Sequence, residues 1–382
     1  MKTLRRCPDG SIPTAKKRSL YLGVARTVAI ISISLNHAVN RTYKNYEGQQ
    51  LEFLTIPLID TVLKSIITVF SKLGVPLFLM FSGALLMNKR MEGPVDVKRF
   101  YRHNLLDLLI TAEIWYAIIY WCKLIIGTDG ISLSDLTFAQ AIAGMVKTML
   151  FLDQSTLDSM WYMPMILCLY TTLPFLVMVK DKLGPSKWLL LIPGAVVLVY
   201  CMVMPAINGI LRLGGQPTVD VTIREADLMS VFYLYLIAGY FISSGVLSRA
   251  KGWILLLTVI ISFALTCCYQ LYAYSCPKDL IIGYEFPLLL ICGGALFESI
   301  RRTSHHLERL RRPITYISKI SLGIYFMHIL IMLALARILG DAGRTTLWRL
   351  GTLEVGSVGL SIVLIALLSQ IKPLRRRLFL IK

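Results

Sequence analysis

Residues 21–37 read YLGVARTVAIISISLNH. With its flanks (19–39) the run has about the 20 residues a helix needs to cross a ~30 Å hydrocarbon core. Its polar positions set it apart. Arg26 and His37 are eleven residues apart, and at about 100° per residue eleven steps end only ~20° past three full turns. The two side chains therefore face one way, separated along the axis by about 16 Å. Ionisable groups within a span are costly, so a cation and an imidazole on one face mark a candidate site. Taken separately, Arg26 would snorkel to cytoplasmic headgroups and His37 would mark the outer helix end. That account leaves the shared face unexplained.

Similar apolar runs recur along the chain. Of 382 residues, 56% are hydrophobic and only 16% charged, whereas soluble domains carry about 25% charged residues. The mean hydropathy of +0.66 agrees. Further runs near 68–88, 104–127, 159–179, 188–209, 227–247, 252–274, 279–299, 315–337 and 352–371 predict an all-α, polytopic bundle of about ten transmembrane helices. The first is read as a span and not as a cleaved signal peptide, because Arg26 and His37 interrupt it and no small-x-small site follows. With the N-terminus inside, the segments 1–18, 89–102, 180–187, 249–251, 301–312 and 372–382 hold 26 of the 40 Lys and Arg, and the outer segments hold 9. The positive-inside rule then puts both termini in the cytoplasm. The expected organisation is a tail over 1–18, a transmembrane domain over 19–371 and a basic tail over 372–382, in the cell (inner or plasma) membrane. Segments 40–67 and 128–158 face outward, and Phe138–Leu152 reads as a weakly amphipathic helix, lying on the membrane surface or simply connecting.

Composition and motifs exclude several functions. The net charge of +18 follows from topology and not from nucleic-acid binding, since the excess sits in short loops between spans. The eight cysteines form no CxxC pair and no Cys/His metal spacing, so neither a metal site nor a disulfide scaffold is expected. There is no Walker A loop, GxSxG, HExxH or helix-opening GxGxxG, which argues against nucleotide-driven pumps and common hydrolases.

Other positions join the candidate list. Arg99 and Arg102 stand at i, i+3 in a basic cytoplasmic segment, where two guanidinium forks on one helix face suit phosphate oxygens; as plain charges they would be an anchor. Gly74 to Gly83 (GVPLFLMFSG) combines helix-disrupting Gly and Pro with Ser82, a pattern tolerated where backbone is buried or lines a cavity. Trp161 and Tyr162 open a span from the outer side, as belt residues or as a ligand wall. Ser321 to His328 (SLGIYFMH) puts Tyr325 and a second histidine, His328, deep in a span. Glu113, Glu285 and Glu354 are intramembrane acids, any of which could pair with Arg26 or orient a histidine. His103, His305 and His306 are read as solvated.

In their order along the chain, these segments resemble acyltransferase family 3, the integral-membrane acyltransferases that include O-acetyltransferases of O-antigen and other bacterial surface glycans. The markers are Arg26 and His37, the Gly-Val-Pro-x-Phe…Ser-Gly run, Arg99 and Arg102, Trp161-Tyr162 with Pro174, Ala238-Gly-Tyr240, and Ser-Leu-Gly-Ile-Tyr…His328. Two positions depart from the pattern: Gly23 stands where the family usually has an Asp, and the polar Asn36 precedes His37. The resemblance implies transfer of an acyl group, most often acetyl, from cytoplasmic acyl-CoA (acetyl-CoA as co-substrate, without a metal) to a hydroxyl of a surface glycan or lipid-linked sugar. On that reading Arg99 and Arg102, with Arg26, hold CoA phosphates. His37 acts as general base or, in a variant, carries the acyl group. Tyr325, Ser82 and His328 are candidate oxyanion donors. Trp161, Tyr162 and Glu285 complete the pocket candidates.

Two other classes compete. Intramembrane charges and broken helices also fit a proton-coupled secondary transporter or an exporter of a lipid-linked sugar, although no repeat relates the two halves. Gly23 is the feature that would suit a non-catalytic receptor keeping the fold.

Overall fold

A computed structural model describes residues 15–43, 49–127, 132–152, 160–219, 228–276 and 282–381. The expected tail to residue 14, parts of the outer segments 40–67 and 128–158, and the starts of the expected spans at 159, 227 and 279 lie outside the described residues. The described chain is helical, with no strand among the described residues. In order the helices are α1 (Ala15–Thr42), α2 (Gln49–Thr55), α3 (Leu58–Lys72), α4 (Gly74–Leu86), α5 (Pro94–Phe100), α6 (Leu106–Ile126), α7 (Phe138–Met149) and α8 (Tyr162–Leu183). They continue with α9 (Leu191–Val197), α10 (Met204–Leu213), α11 (Leu228–Ser243), α12 (Gly252–Ser275), α13 (Pro287–Thr303), α14 (Arg311–Leu339), α15 (Leu347–Leu368) and α16 (Lys372–Leu378).

Among the described residues, seven helical segments are long and apolar enough to cross a membrane: Leu20–Thr42, Leu58–Leu86, Pro94–Ile126, Tyr162–Leu213, Gly252–Ser275, Pro287–Leu339 and Leu347–Leu368. α11 is a shorter apolar helix over Val231–Ser243. Two of the seven have 52 and 53 residues; laid straight they would run about 78 Å, more than twice a ~30 Å core. Both are interrupted, the first by a 3₁₀ turn over Gly184–Leu190 and a π turn over Leu198–Val203, the second by a 3₁₀ turn over Ser304–Leu310.

The burial pattern explains why these helices suit lipid. α3 buries Thr61, Lys64, Ser65, Thr68 and Ser71 while Leu58, Ile59 and Ile66 are exposed. α12 buries Ser262, Thr266 and Gln270 and exposes Leu256, Ile260, Ile261 and Leu265. In α15 Ser357 and Ser361 are inside, with Val355, Leu360, Val363 and Leu367 outside. Polar stripes turned inward and apolar faces turned outward invert the pattern of a water-soluble helix, as expected where the surrounding medium is hydrocarbon.

Three boundaries differ from the sequence reading. The segment 58–67, read as outer loop, belongs to α3, because its polar residues recur every three or four positions and pack inward. Residues 282–286 precede α13, which opens with Pro287 in its first turn, where the missing N–H has no intrahelical acceptor to lose. Likewise Gly74 and Pro76 do not unwind a helix. They sit in the first turn of α4, which follows α3 after Leu73, and Leu77 N bonds the Leu73 carbonyl at 3.0 Å.

The chain divides into two compact units, Met1–Lys89 with Leu183–Ser321, and Arg90–Lys182 with Leu322–Lys382. In the first unit α4 is clasped through glycines. A Cβ on Gly83 would lie 1.8 Å from the Leu236 carbonyl oxygen of α11, and one on Gly239 would lie 2.1 Å from that of Met80. On its other side a Cβ on Gly74 would meet the Ala29 carbonyl of α1 at 2.8 Å. Small residues let backbones approach in membranes, where lipid-facing apolar surface gives helices no reason to associate. In the same unit, fully buried Glu298 accepts from Arg301 (2.7 Å) and Arg302 (2.6 Å), and Arg302 also donates to the carbonyls of Ala250 (2.7 Å) and Leu247 (2.5 Å).

In the second unit α5 leads through a π turn (Tyr101–Leu105) into α6. The expected surface helix is α7, opened by a reciprocal cap between Thr137 and Gln140. One face packs on α6 through Ala141 and a Trp121 Nε1 bond to Met145 Sδ (3.2 Å), while Phe138 and Leu150 stay exposed. Trp115 of α6 stacks on Phe326 of α14, with centroids 5.3 Å apart and planes 4° from parallel.

Gly83→Val should break the clasp between α4 and α11, since backbone rather than a movable side chain blocks the new methyls. The expected loss is about 3 kcal/mol or more, read as a fall in the melting temperature in detergent. Gly359→Ala, where an added Cβ meets nothing within 4 Å, should leave that temperature unchanged or raise it. Equal behaviour of the two variants would contradict the packing described.

Candidate functional site

The site begins on α1, 28 residues of continuous helix with no proline. Continuity keeps the spacing read from the sequence, so Arg26 and His37 stay about 16 Å apart along one face. That face turns inward. Leu22, Ile30 and Ile33 lie within about 40° of Arg26 around the helix and all three are buried, whereas Ile31, roughly opposite, is exposed. Arg26 and His37 are themselves half-buried.

The Arg26 guanidinium carbon lies 5.3 Å from the Phe81 ring centroid and 5.6 Å from that of Phe78, both on α4. A guanidinium over two ring faces is held by cation–π attraction as well as by packing, which a side chain merely reaching for headgroups would not need. Ser82, buried in α4, follows Phe78 by one turn and shares that face. Gly23 is also explained: a Cβ there would meet Ile314 Cγ2 of α14 at 3.3 Å. A neighbouring aliphatic group thus fills the space of the customary Asp side chain.

Beside His37, Asn36 opens a buried polar chain absent from the sequence reading. Asn36 Nδ2 donates to Ser71 Oγ (2.9 Å), Ser71 Oγ donates to the Thr68 carbonyl (2.7 Å), and Thr68 Oγ1 lies 3.1 Å from Tyr274 Oη. Lys64 Nζ sits over the rings of Tyr274 (4.3 Å) and Tyr43 (5.1 Å) and pairs with Glu52 at 2.8 Å. Beyond the span, burial and then the acids Asp60 and Glu52 push the Tyr43 phenol up to about 12. Polar residues at three- and four-residue spacing in 58–72 were the signal that would have revealed this network.

Glu285 lies just before α13 in the same unit. The adjacent Tyr284 ring lies 5.2 Å from Lys72 Nζ at the end of α3. Tyr235 Oη donates to the Tyr284 carbonyl at 2.7 Å. Lys72 is thus an inward cation that hydropathy alone hides within an apolar run.

The second unit gathers four other candidates. Exposed Trp161 and buried Tyr162 have ring centroids 6.2 Å apart; Tyr162 lies 5.9 Å from Tyr325, and Tyr325 lies 6.2 Å from His328. His328 is fully buried, with Nδ1 2.7 Å from the Ile324 carbonyl. A carbonyl only accepts, so Nδ1 carries a proton.

Arg99 and Arg102 belong to the same unit at another level. Both are exposed, and Arg99 makes a solvent-facing pair with Asp96 at 3.3 Å. Between them the adjacent Tyr101 Oη donates to the Thr171 carbonyl of α8 at 2.6 Å, while the aromatic cluster meets α8 at Tyr162, about 13 Å further along its axis. The structure therefore does not bring the arginine pair against the Tyr325–His328 cluster. The arginines straddle the start of the π turn, a geometry common at functional sites.

Inverted helices and inward-facing ionisable groups define a multi-pass membrane protein with a buried polar site. Residues 19–369 match a family model described as an acyltransferase domain. The chain belongs to acyltransferase family 3. Comparison with curated proteins and with solved structures finds no match.

The Arg26 contact is testable by a double-mutant cycle of Arg26→Met and Phe81→Leu. The expected coupling is about 1 kcal/mol in unfolding free energy. Additive effects would contradict the stacking.

Proposed function

We propose that this membrane acyltransferase moves an acyl group, acetyl in the first instance, from cytoplasmic acyl-CoA to a hydroxyl of a surface glycan or lipid-linked sugar on the far side of the cell membrane. The observation that carries the reading is the inward face of α1, with a stacked cation at one level and an imidazole about 16 Å away. Counting Tyr162–Leu213 and Pro287–Leu339 as two crossings each, and α11 as one more, gives ten passes. The Lys and Arg bias then leaves both termini in the cytoplasm.

In this reading Arg99 and Arg102 are the first contacts of the donor's phosphates. Their exposure and forked donors suit that chemistry, and Arg26 is a further candidate for the same phosphates. His37 accepts the proton of the acceptor hydroxyl as its oxygen attacks the thioester carbonyl. The oxyanion that forms needs donors, for which Ser82, Tyr325 and His328 remain the candidates. Collapse re-forms the carbonyl and expels the thiolate, which takes up the proton held by His37. The ester and free CoA thiol are the products, so atoms and charge balance. Apolar walls around the path keep water from the thioester.

Two substitutions test the reading. His37→Ala should lower acetyl transfer from acetyl-CoA to the glycan acceptor by about 10²–10⁴-fold, with an unchanged melting temperature; full activity would remove His37 from the mechanism. Arg99→Ala with Arg102→Ala should raise the apparent KM for acetyl-CoA and leave that for the acceptor unchanged. An unaltered acetyl-CoA dependence would reduce the pair to a topology signal. A protein that consumes no acetyl-CoA in detergent with any hydroxyl acceptor would favour the transporter reading.

A further inference from the structure

The segment after α15 carries three consecutive arginines, Arg375, Arg376 and Arg377. As composition they are an anchor on the positive side of a membrane. In the second unit they are built into a wall. Thr111 Oγ1 of α6 donates to the Arg377 carbonyl (2.8 Å), and Trp115 Nε1 donates to the Leu378 carbonyl (2.8 Å). Phe379 and Ile381 are buried. At Leu380 the backbone adopts φ 49, turning the chain back so that Ile381 N reaches the Arg375 carbonyl at 3.1 Å. A left-handed leucine is uncommon and persists only where its surroundings fix it.

This docked arm borders an open-mouthed cavity of about 600 Å³ whose polar lining is Asp107, Thr111 and the three arginines. Among the described residues, none of the three guanidinium groups makes an ion pair or a hydrogen bond, and Asp107 pairs with none of them. The Nε of Arg375 is buried without an acceptor. Arg375 is half-buried while Arg376 and Arg377 are exposed beside it; a buried donor lacking a partner calls for an explanation, and an anion held beside these arginines would supply its acceptor.

We infer that this cavity binds a phosphate-bearing molecule. Guanidinium forks match phosphate oxygens in pairs, and the volume falls within the roughly 300–1,000 Å³ of small-molecule sites, more than a bare ion fills. The inference stands apart from the transfer reaction. Two sources share the chemistry, a soluble phosphate ester and an anionic lipid headgroup. Either would hold the arm against α6, so occupancy reads out as order in residues 372–381. Asp107 opposes binding by its charge, which fixes the sign of its substitution.

The experiment is hydrogen exchange of residues 372–381 in the full chain, in phosphatidylcholine nanodiscs titrated with adenosine diphosphate and, separately, in nanodiscs containing phosphatidylglycerol. Protection by the nucleotide assigns a soluble phosphate; protection only with phosphatidylglycerol assigns the lipid headgroup; protection by neither overturns the site. Arg375→Gln should shift the midpoint about tenfold weaker, the loss expected for a charged hydrogen bond, and Asp107→Asn should shift it tighter. A midpoint that ignores Arg375→Gln, or that weakens with Asp107→Asn, overturns the proposal. The second variant keeps the test decisive should the first fail to fold.

Discussion

The first unit depends on how closely α4 lies against its neighbours. At Gly83 and Gly239 the space that a methyl group would need is already occupied by carbonyl oxygen of the facing helix. Gly74 does the same against α1. In hydrocarbon, where apolar side chains gain little by leaving the solvent, such close backbone approach is a main source of cohesion between helices. It also fixes the candidate site. The approach of α4 to α1 carries Phe78 and Phe81 to Arg26, and the inward face of α1 is defined by what α4 covers.

Motif glycines that looked functional therefore act through packing. The Ser-Gly of α4 and the Ala-Gly-Tyr of α11 are two sides of one contact, and neither glycine touches the ionisable groups. Arg26 is a costly intramembrane charge stabilised by rings that the packing of α4 delivers. The same economy governs the buried network beside His37, where Asn36 ties α1 to α3 through Ser71 and so fixes the C-terminal half of the helix.

Much of this was legible in the sequence because its signals are local. Length and hydropathy identified an all-helical, multi-pass chain, of which seven helical segments are long and apolar enough to cross a membrane among the described residues, and α-helical periodicity identified the shared face of Arg26 and His37. What stayed hidden depends on partners distant in sequence. The spacing of polar residues in 58–72 marks one face of a helix, but what that face meets is fixed only by α12, which supplies Tyr274 and the Cys267 carbonyl that accepts from Ser65. Lys72 is hidden in an apolar run until Tyr284, more than 200 positions later, brings its ring to 5.2 Å from the ammonium. The arginines of α16 read as a tail because the hydrogen bonds that dock them come from Thr111 and Trp115. Gly23 appeared as a missing acid, and the structure supplies the aliphatic neighbour that replaces it.

The central claim is that an acyl thioester entering from the cytoplasm reaches the imidazole on the far half of α1. An electrophilic donor analogue tests this directly: bromoacetyl-CoA, whose methylene carbon loses bromide to an attacking ring nitrogen, followed by peptide mass mapping of the labelled protein. The account predicts an adduct on His37 that excess acetyl-CoA suppresses. Labelling confined to other residues, with the peptide containing His37 unmodified, would contradict it.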